Sequence, residues 1–277
     1  MVAVGQPPSR RYDYTPPKWA RDKLEHFPTA GRLHMANLPT PLYQWSTGTS
    51  IKSAGMTPSI LQRLEELDIT LYIKRDDMTG GCETGGNKIR KLEFLLADAL
   101  ERGYQKVVTI GGEQSNHCRA TASACRMVGL EPHLILRTPR ANEIQQATKE
   151  TEGGIGYTGN ILFDRMVGSS IYTCTPGEYG RVGSKQLLDR LCSHLEETSG
   201  GKVYPIPVGG SNGLGTWGYI EGVEELISQW TSIESKPSLD HLVFACGSGG
   251  TAAGISIGTA LAFEALPGLS PPTVHAI

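Results

Sequence analysis

Hydrophobic and polar positions along this chain alternate between two periods, short β-branched runs and longer helical repeats, with glycine-rich turns between them. The clearest unit covers residues 71–100. An apolar run at 71–74 passes through a glycine-rich turn into a segment where Ile89, Leu92, Leu95, Leu96, Ala99 and Leu100 recur at helical spacing, with Asn87 in the N-cap position. The run at 106–110, ending in Gly111-Gly112, reads as a buried strand. A helix at 118–128 follows, lined by Ala120, Ala122, Ala124, Cys125 and Val128 and stopped at Gly129. Strands at 133–137, 203–208 and 241–246 alternate with helices at 142–150, 184–197, 217–230 and 252–265, and a short helix at 57–67 precedes the first strand. Such strand-then-helix units predict a parallel sheet. Residues 1–40 form a proline-rich, irregular arm expected to pack across a neighbouring surface, with 38–42 extended because residues before proline avoid the helical region. Residues 153–183 show no clear period. Residues 270–277 read as the approach to another strand, and an open sheet that stops in mid-unit suggests a missing C-terminal portion.

Composition narrows the class. A chain of 277 residues, 39% hydrophobic and 19% charged, can bury a sizeable core, and two domains are expected. Net charge is −2, so no basic excess exists to neutralise nucleic acid or an anionic membrane, and a small-molecule partner is expected. Apolar runs fall short of the roughly 20 residues a spanning helix needs. The six cysteines, Cys82, Cys118, Cys125, Cys174, Cys192 and Cys246, show neither a CxxC pair nor zinc-ligand spacing and suggest reduced thiols. Two arginines and no acid in residues 1–11 permit a transit-peptide reading, but residues 12–25 mix both charges, which favours the cytoplasm over a mitochondrion or plastid.

Candidate chemistry lies in the turns. Three strand-to-helix turns, 111–117, 209–213 and 247–251, place glycines and hydroxyls where helix N-termini present free N–H groups. The 247–251 turn, Gly247-Ser248-Gly249-Gly250-Thr251, is the best phosphate cradle. A dinucleotide fingerprint would need an acidic residue about 20 positions onward at a strand end, which is missing. Lys88, in the first turn of its helix, meets the positive end of the macrodipole, which favours the neutral amine that Schiff-base chemistry requires. The plainer reading is a solvated lysine, like Arg90 and Lys91 beside it. Similarly, Asn116 could cap a helix, His117 could be a satisfied structural histidine, and Asp76-Asp77 reads as turn chemistry. One phosphate, a carbonyl for a lysine and an aromatic ring together specify pyridoxal 5'-phosphate.

The stretches GGNKIRKLEFLLADAL around Lys88, IGGEQSNHCRATASA at 110–124, PVGGSNGLGTWGYIE at 207–221 and CGSGGTAAG at 246–254 resemble the D-cysteine desulfhydrase and 1-aminocyclopropane-1-carboxylate deaminase family. That resemblance implies a fold-type II, tryptophan-synthase β-like α/β architecture of two open, mostly parallel sheets. It divides the chain into a discontinuous large cofactor domain, 1–90 plus 200–277, and a small domain, 91–199. It further implies that Lys88 forms the Schiff base and then serves as base, and that Asn116 bonds the cofactor's ring hydroxyl. Ser115, Asn116 and His117 would hold the substrate, with Ser115 also catalytic, while Gly247, Ser248, Gly249, Gly250 and Thr251 would bind phosphate. The expected reaction is β-elimination of D-cysteine to pyruvate, hydrogen sulfide and ammonia, by a homodimer as is usual for relatives. Two alternatives stand beside it: deamination of the cyclopropane amino acid to 2-oxobutyrate, and a truncated, non-catalytic cofactor-binding form. Deaminases usually carry glutamine where this chain has His117, which favours the desulfhydrase side.

Overall fold

The computed structural model describes residues 11–46, 55, 59–81, 83–146, 154–234, 238–266, 268 and 270–277. In the N-terminal arm, β1 (Arg11–Tyr12), α1 (Lys18–Arg21) and β2 (Arg32–Leu33) are followed by β3 (Leu42–Gln44), α2 (Ser59–Glu66) and β4 (Tyr72–Lys74). Next come α3 (Lys88–Glu101), β5 (Lys106–Gly112), α4 (Asn116–Met127), β6 (Glu131–Arg137) and α5 (Ala141–Gln146). The stretch without a clear period holds α6 (Asn160–Met166), β7 (Ser170–Cys174) and α7 (Pro176–Val182). The two helices are too short, at seven residues each, to repeat the helical period twice, and Ser170–Cys174 mixes polar and apolar residues without clear alternation. One signal there is legible in retrospect: Thr175 accepts from the Glu178 N–H at 3.0 Å, with Pro176 at the first helical position. Helix α8 (Ser184–Ser199), β8 (Val203–Ile206), a 3-10 turn (Val208–Gly210), α9 (Gly213–Thr231), β9 (His241–Phe244), α10 (Gly250–Ala265) and β10 (Thr273–Ala276) complete the order. Residues 57–58 and 147–150 of the expected helices, and Cys82, lie outside the described residues.

Four strands form a parallel sheet in the order β7-β6-β5-β8, and β9 and β10 pair in parallel separately. The four-stranded sheet takes in residues on both sides of position 200, because β8 pairs with β5. Strand alternation sorts its side chains onto two faces. Val107 packs with Ile89, Leu92 and Ala120, and Leu134 and Leu136 pack with Cys118 and Ile161. On the other face, Val108, Ile110 and Ile135 meet Leu187, Leu188 and Leu195 of α8. The inner stretches of these central strands, with Val107, Val108, Ile110, Leu134, Ile135 and Leu136, carry apolar residues on both faces, as expected for a sheet covered on both sides.

A second core surrounds α9, where Trp217, Ile220 and Val223 pack with Phe94, Ala262 and Phe263. Helices meet there at backbone distance: a Cβ on Gly218 would lie 2.5 Å from the carbonyl of Arg90. Residues 11–40 of the arm pack across this core as expected, with Tyr14 edge-on to Phe94 at 4.9 Å and Trp19 donating to Glu224 at 2.6 Å, while residues 1–10 lie outside the described residues. Among the described residues no helix is long and apolar enough to cross a membrane, no cluster could hold a metal, and five cysteines are free thiols.

Candidate active site

The three glycine-rich turns leave the carboxyl ends of β5, β8 and β9. Two of them interlock: the Ser211 hydroxyl lies 2.7 Å from that of Ser248 and accepts from the Gly250 N–H at 3.2 Å. Close packing leaves no room for side chains at the contact, since a Cβ on Gly209 would sit 2.0 Å from Ser248 Oγ. Gly249 adopts the left-handed conformation (φ +84°), which bends the chain into the N-terminus of α10. Space above Gly247 is open. The third turn touches the second, for a Cβ on Gly210 would lie 3.7 Å from the His117 ring.

Lys88 joins this cluster through its neighbour. Its Nζ donates to Asn87 Oδ1 at 3.1 Å, and Asn87 Nδ2 donates to Thr251 Oγ1 at 3.2 Å. Asn87 stands at the N-cap position of α3 but makes no side-chain capping bond; the amide faces the cluster instead. Burial lowers the proton affinity of Lys88 below the usual lysine range. Lys91 lies one turn on, on the same helix face. Its Nζ donates to the Gly209 carbonyl at 3.3 Å and would sit 2.9 Å from a Cβ on Gly250. Burial and the Lys88 charge bring its pKa down to about 8, against the Cys246 thiol.

The expectation that Arg90 and Lys91 are solvated is overturned: each is 1% exposed. Helix α3 is covered by the sheet on one side and α9 on the other, so its first turns have no solvent face. Arg90 donates to Asp76 Oδ1 at 2.8 Å and to Glu225 Oε2 at 3.0 Å, and Lys74 pairs with the same glutamate. Asp76 is therefore more than turn chemistry, since it also accepts from Tyr219 at 2.7 Å and Thr40 at 3.1 Å. The buried arginine requires such partners.

In the 111–117 turn the cap of α4 is Ser115, which accepts from the Cys118 N–H at 3.2 Å. Asn116 begins the helix. Its Oδ1 accepts from Arg119, which also donates to the Gly85 carbonyl at 2.9 Å, and its Nδ2 would meet a Cβ on Gly86 at 3.0 Å. The residues ahead of Lys88 thus lie against Asn116. His117 is buried, with Nε2 2.9 Å from Thr109 Oγ1 and Nδ1 3.5 Å from Thr121 Oγ1. Burial, then Lys88 and Lys91, bring its pKa down to about 3, so the ring is neutral. Lys91, Thr109 and Tyr219 were not singled out by their sequence context, and Ser211 entered only as a member of the 209–213 turn. Of the first three, Lys91 alone had a signal there, its i+3 spacing from Lys88. A cavity of about 650 Å³, lined in part by Gln145, Arg165, Ser169 and Tyr172, shares no residue with this cluster.

Two converging amines and a helix N-terminus favour an anion, and an amine with a weakened hold on its proton suits an aldehyde; these residues fit pyridoxal phosphate. Fold and cluster define the class: an α/β protein that takes its ligand outside the carboxyl ends of parallel strands. The chain belongs to the pyridoxal-phosphate-dependent enzyme family, whose pattern matches residues 52–276. It is 43% identical over 246 residues, 89% of its length, to the mitochondrial bifunctional D-cysteine desulfhydrase/1-aminocyclopropane-1-carboxylate deaminase of Arabidopsis thaliana. Similarity to the D-cysteine desulfhydrase of Salmonella typhi is 34% identity over 85% of the chain. The crystal structure of an ACC deaminase homologue superposes over 83% of the chain with a TM-score of 0.64 at 31% identity. The chain spans 55%, 62% and 59% of those three proteins.

Proposed function

We propose that this protein is a pyridoxal-phosphate-dependent carbon–sulfur lyase that eliminates hydrogen sulfide from D-cysteine, with water completing the products pyruvate and ammonia. The observation that carries this reading is the half-buried Lys88 amine, linked through one asparagine to the 247–251 turn. When bound, the cofactor supplies an aldehyde for an amine and a ring that stores the electron pair left by Cα–H removal. Lys88 contributes the amine and then, freed by the substrate's own amine, takes the Cα proton onto Nζ. An amine whose ammonium form is disfavoured by burial suits both tasks. Residues 247–251 and Lys91 hold the phosphate, Asn116 the ring hydroxyl, and Ser115 the substrate carboxylate. His117, locked between Thr109 and Thr121, supports the turn from behind rather than touching substrate.

Elimination from a β-substituted amino acid needs a base at Cα, which Lys88 provides. Opening a cyclopropane amino acid has no Cα proton to remove and needs an acid or nucleophile at the ring carbons. His117, with a pKa near 3, has no proton to give at neutral pH, which favours elimination. Deamination remains the second reading because the Arabidopsis relative's name carries both activities. Borohydride reduction after incubation with pyridoxal phosphate, followed by peptide mapping, tests the site; the label is expected on Lys88 and lost in Lys88→Ala. Turnover of that variant should fall about 10²–10⁴-fold or more. Pyruvate and sulfide from D-cysteine support the elimination reading, whereas 2-oxobutyrate from the cyclopropane substrate alone would replace it with deamination.

A further inference from the structure

We infer that Asn87 is the positioning residue of Lys88: its side-chain amide, held by Thr251 of the 247–251 turn, fixes where the lysine amine points. This rests on the reading of Lys88 as the reactive amine and adds the device that aims it.

The orientation follows from donors and acceptors. A lysine ammonium only donates, so the Asn87 atom facing it is the carbonyl oxygen, which accepts at 3.1 Å. The NH₂ group of the same amide then faces the other way and donates to Thr251 Oγ1 at 3.2 Å. One N–H of the lysine is committed to Asn87, so the lone pair of its neutral form points elsewhere.

A capping role would explain the asparagine equally simply, but no side-chain capping bond forms at this helix. Neutrality at position 87 also matters. The groups facing Lys88 are Lys91 on its own helix and His117 from α4. An aspartate at 87 would put a negative charge beside the amine and retain its proton.

Competitive labelling of lysine amines across the pH range, read peptide by peptide on the whole chain without cofactor, tests this directly. Asn87→Asp is expected to raise the labelling midpoint of Lys88 by about one pH unit or more. Thr251→Val keeps residue 87 but frees its amide, and is expected to slow labelling of Lys88, again without cofactor, by about fivefold. The second variant decides the matter if the first does not fold. An unmoved Lys88 midpoint in folded Asn87→Asp, or an unchanged Lys88 labelling rate in Thr251→Val, overturns the role of Asn87. If instead the unsubstituted protein traps no cofactor on Lys88, the functional reading fails and the labelling result stands by itself.

Discussion

His117 shows how a side chain in a ligand-like sequence context can be placed behind the turn that it follows. It follows Ser115 and Asn116 in a glycine-rich turn, yet it sits behind that turn, buried, with both ring nitrogens facing threonine hydroxyls. Its folded pKa of about 3 lies below the 6.5 of a free histidine, so the unfolded chain binds the extra proton between those values. The stability this neutral ring contributes is therefore present above pH 6.5 and lost as pH falls toward 3, at a limiting slope of about 1.4 kcal/mol per pH unit. Thermal melts of the protein and of His117→Gln between pH 7.5 and 4 should show a shallower decline in the variant. Parallel declines, or a large rise in substrate KM for the variant, would return His117 to the substrate side.

Helices α3, α9 and α10 set the site by how closely they approach. Gly218 lets α9 reach the backbone of α3 at Arg90, two residues past Lys88, and a Cβ there would lie 2.5 Å from main-chain atoms that cannot swing aside. A Cβ on Gly222, one turn along, would meet side chains rather than backbone, the Tyr219 ring at 3.3 Å and Arg90 Cδ at 3.9 Å. Gly218→Ala should therefore destabilise the protein by about 1–3 kcal/mol or more, and Gly222→Ala by under about 1 kcal/mol, in urea denaturation. Equal effects would mean that helix propensity, not interhelical distance, governs both positions. Helix propensity alone would make each alanine stabilising.

At the scale of the molecule, one buried ionic network ties the segment before Lys88 to both helices beside it. Glu225 receives Arg90 and Lys74, and Arg90 also holds Asp76. Burial by itself would raise the Glu225 pKa, but Arg90 and Lys74 outweigh it and hold it at about 2. Folded affinity for the proton is thus below the unfolded value of 4.5, so this contribution is present above pH 4.5 and lost as pH falls toward 2. Glu225→Gln leaves two cations short of a partner and should cost about 3–5 kcal/mol at pH 7, with the difference shrinking by pH 3. A small, pH-independent change in the denaturation midpoint would show that the network is exposed enough to be screened. The sequence by itself determined the strand and helix types, the three glycine-rich turns and Lys88 at a helix start, because those are local matters of period, turn chemistry and charge. Only the tertiary structure decided that Arg90 and Lys91 are buried and that the Asn87 amide faces Lys88 and Thr251 rather than capping its helix. Those outcomes depend on what packs against each side chain, and the partners, Gly209, Glu225 and Thr251, lie more than 100 residues away along the chain, beyond the reach of any local period.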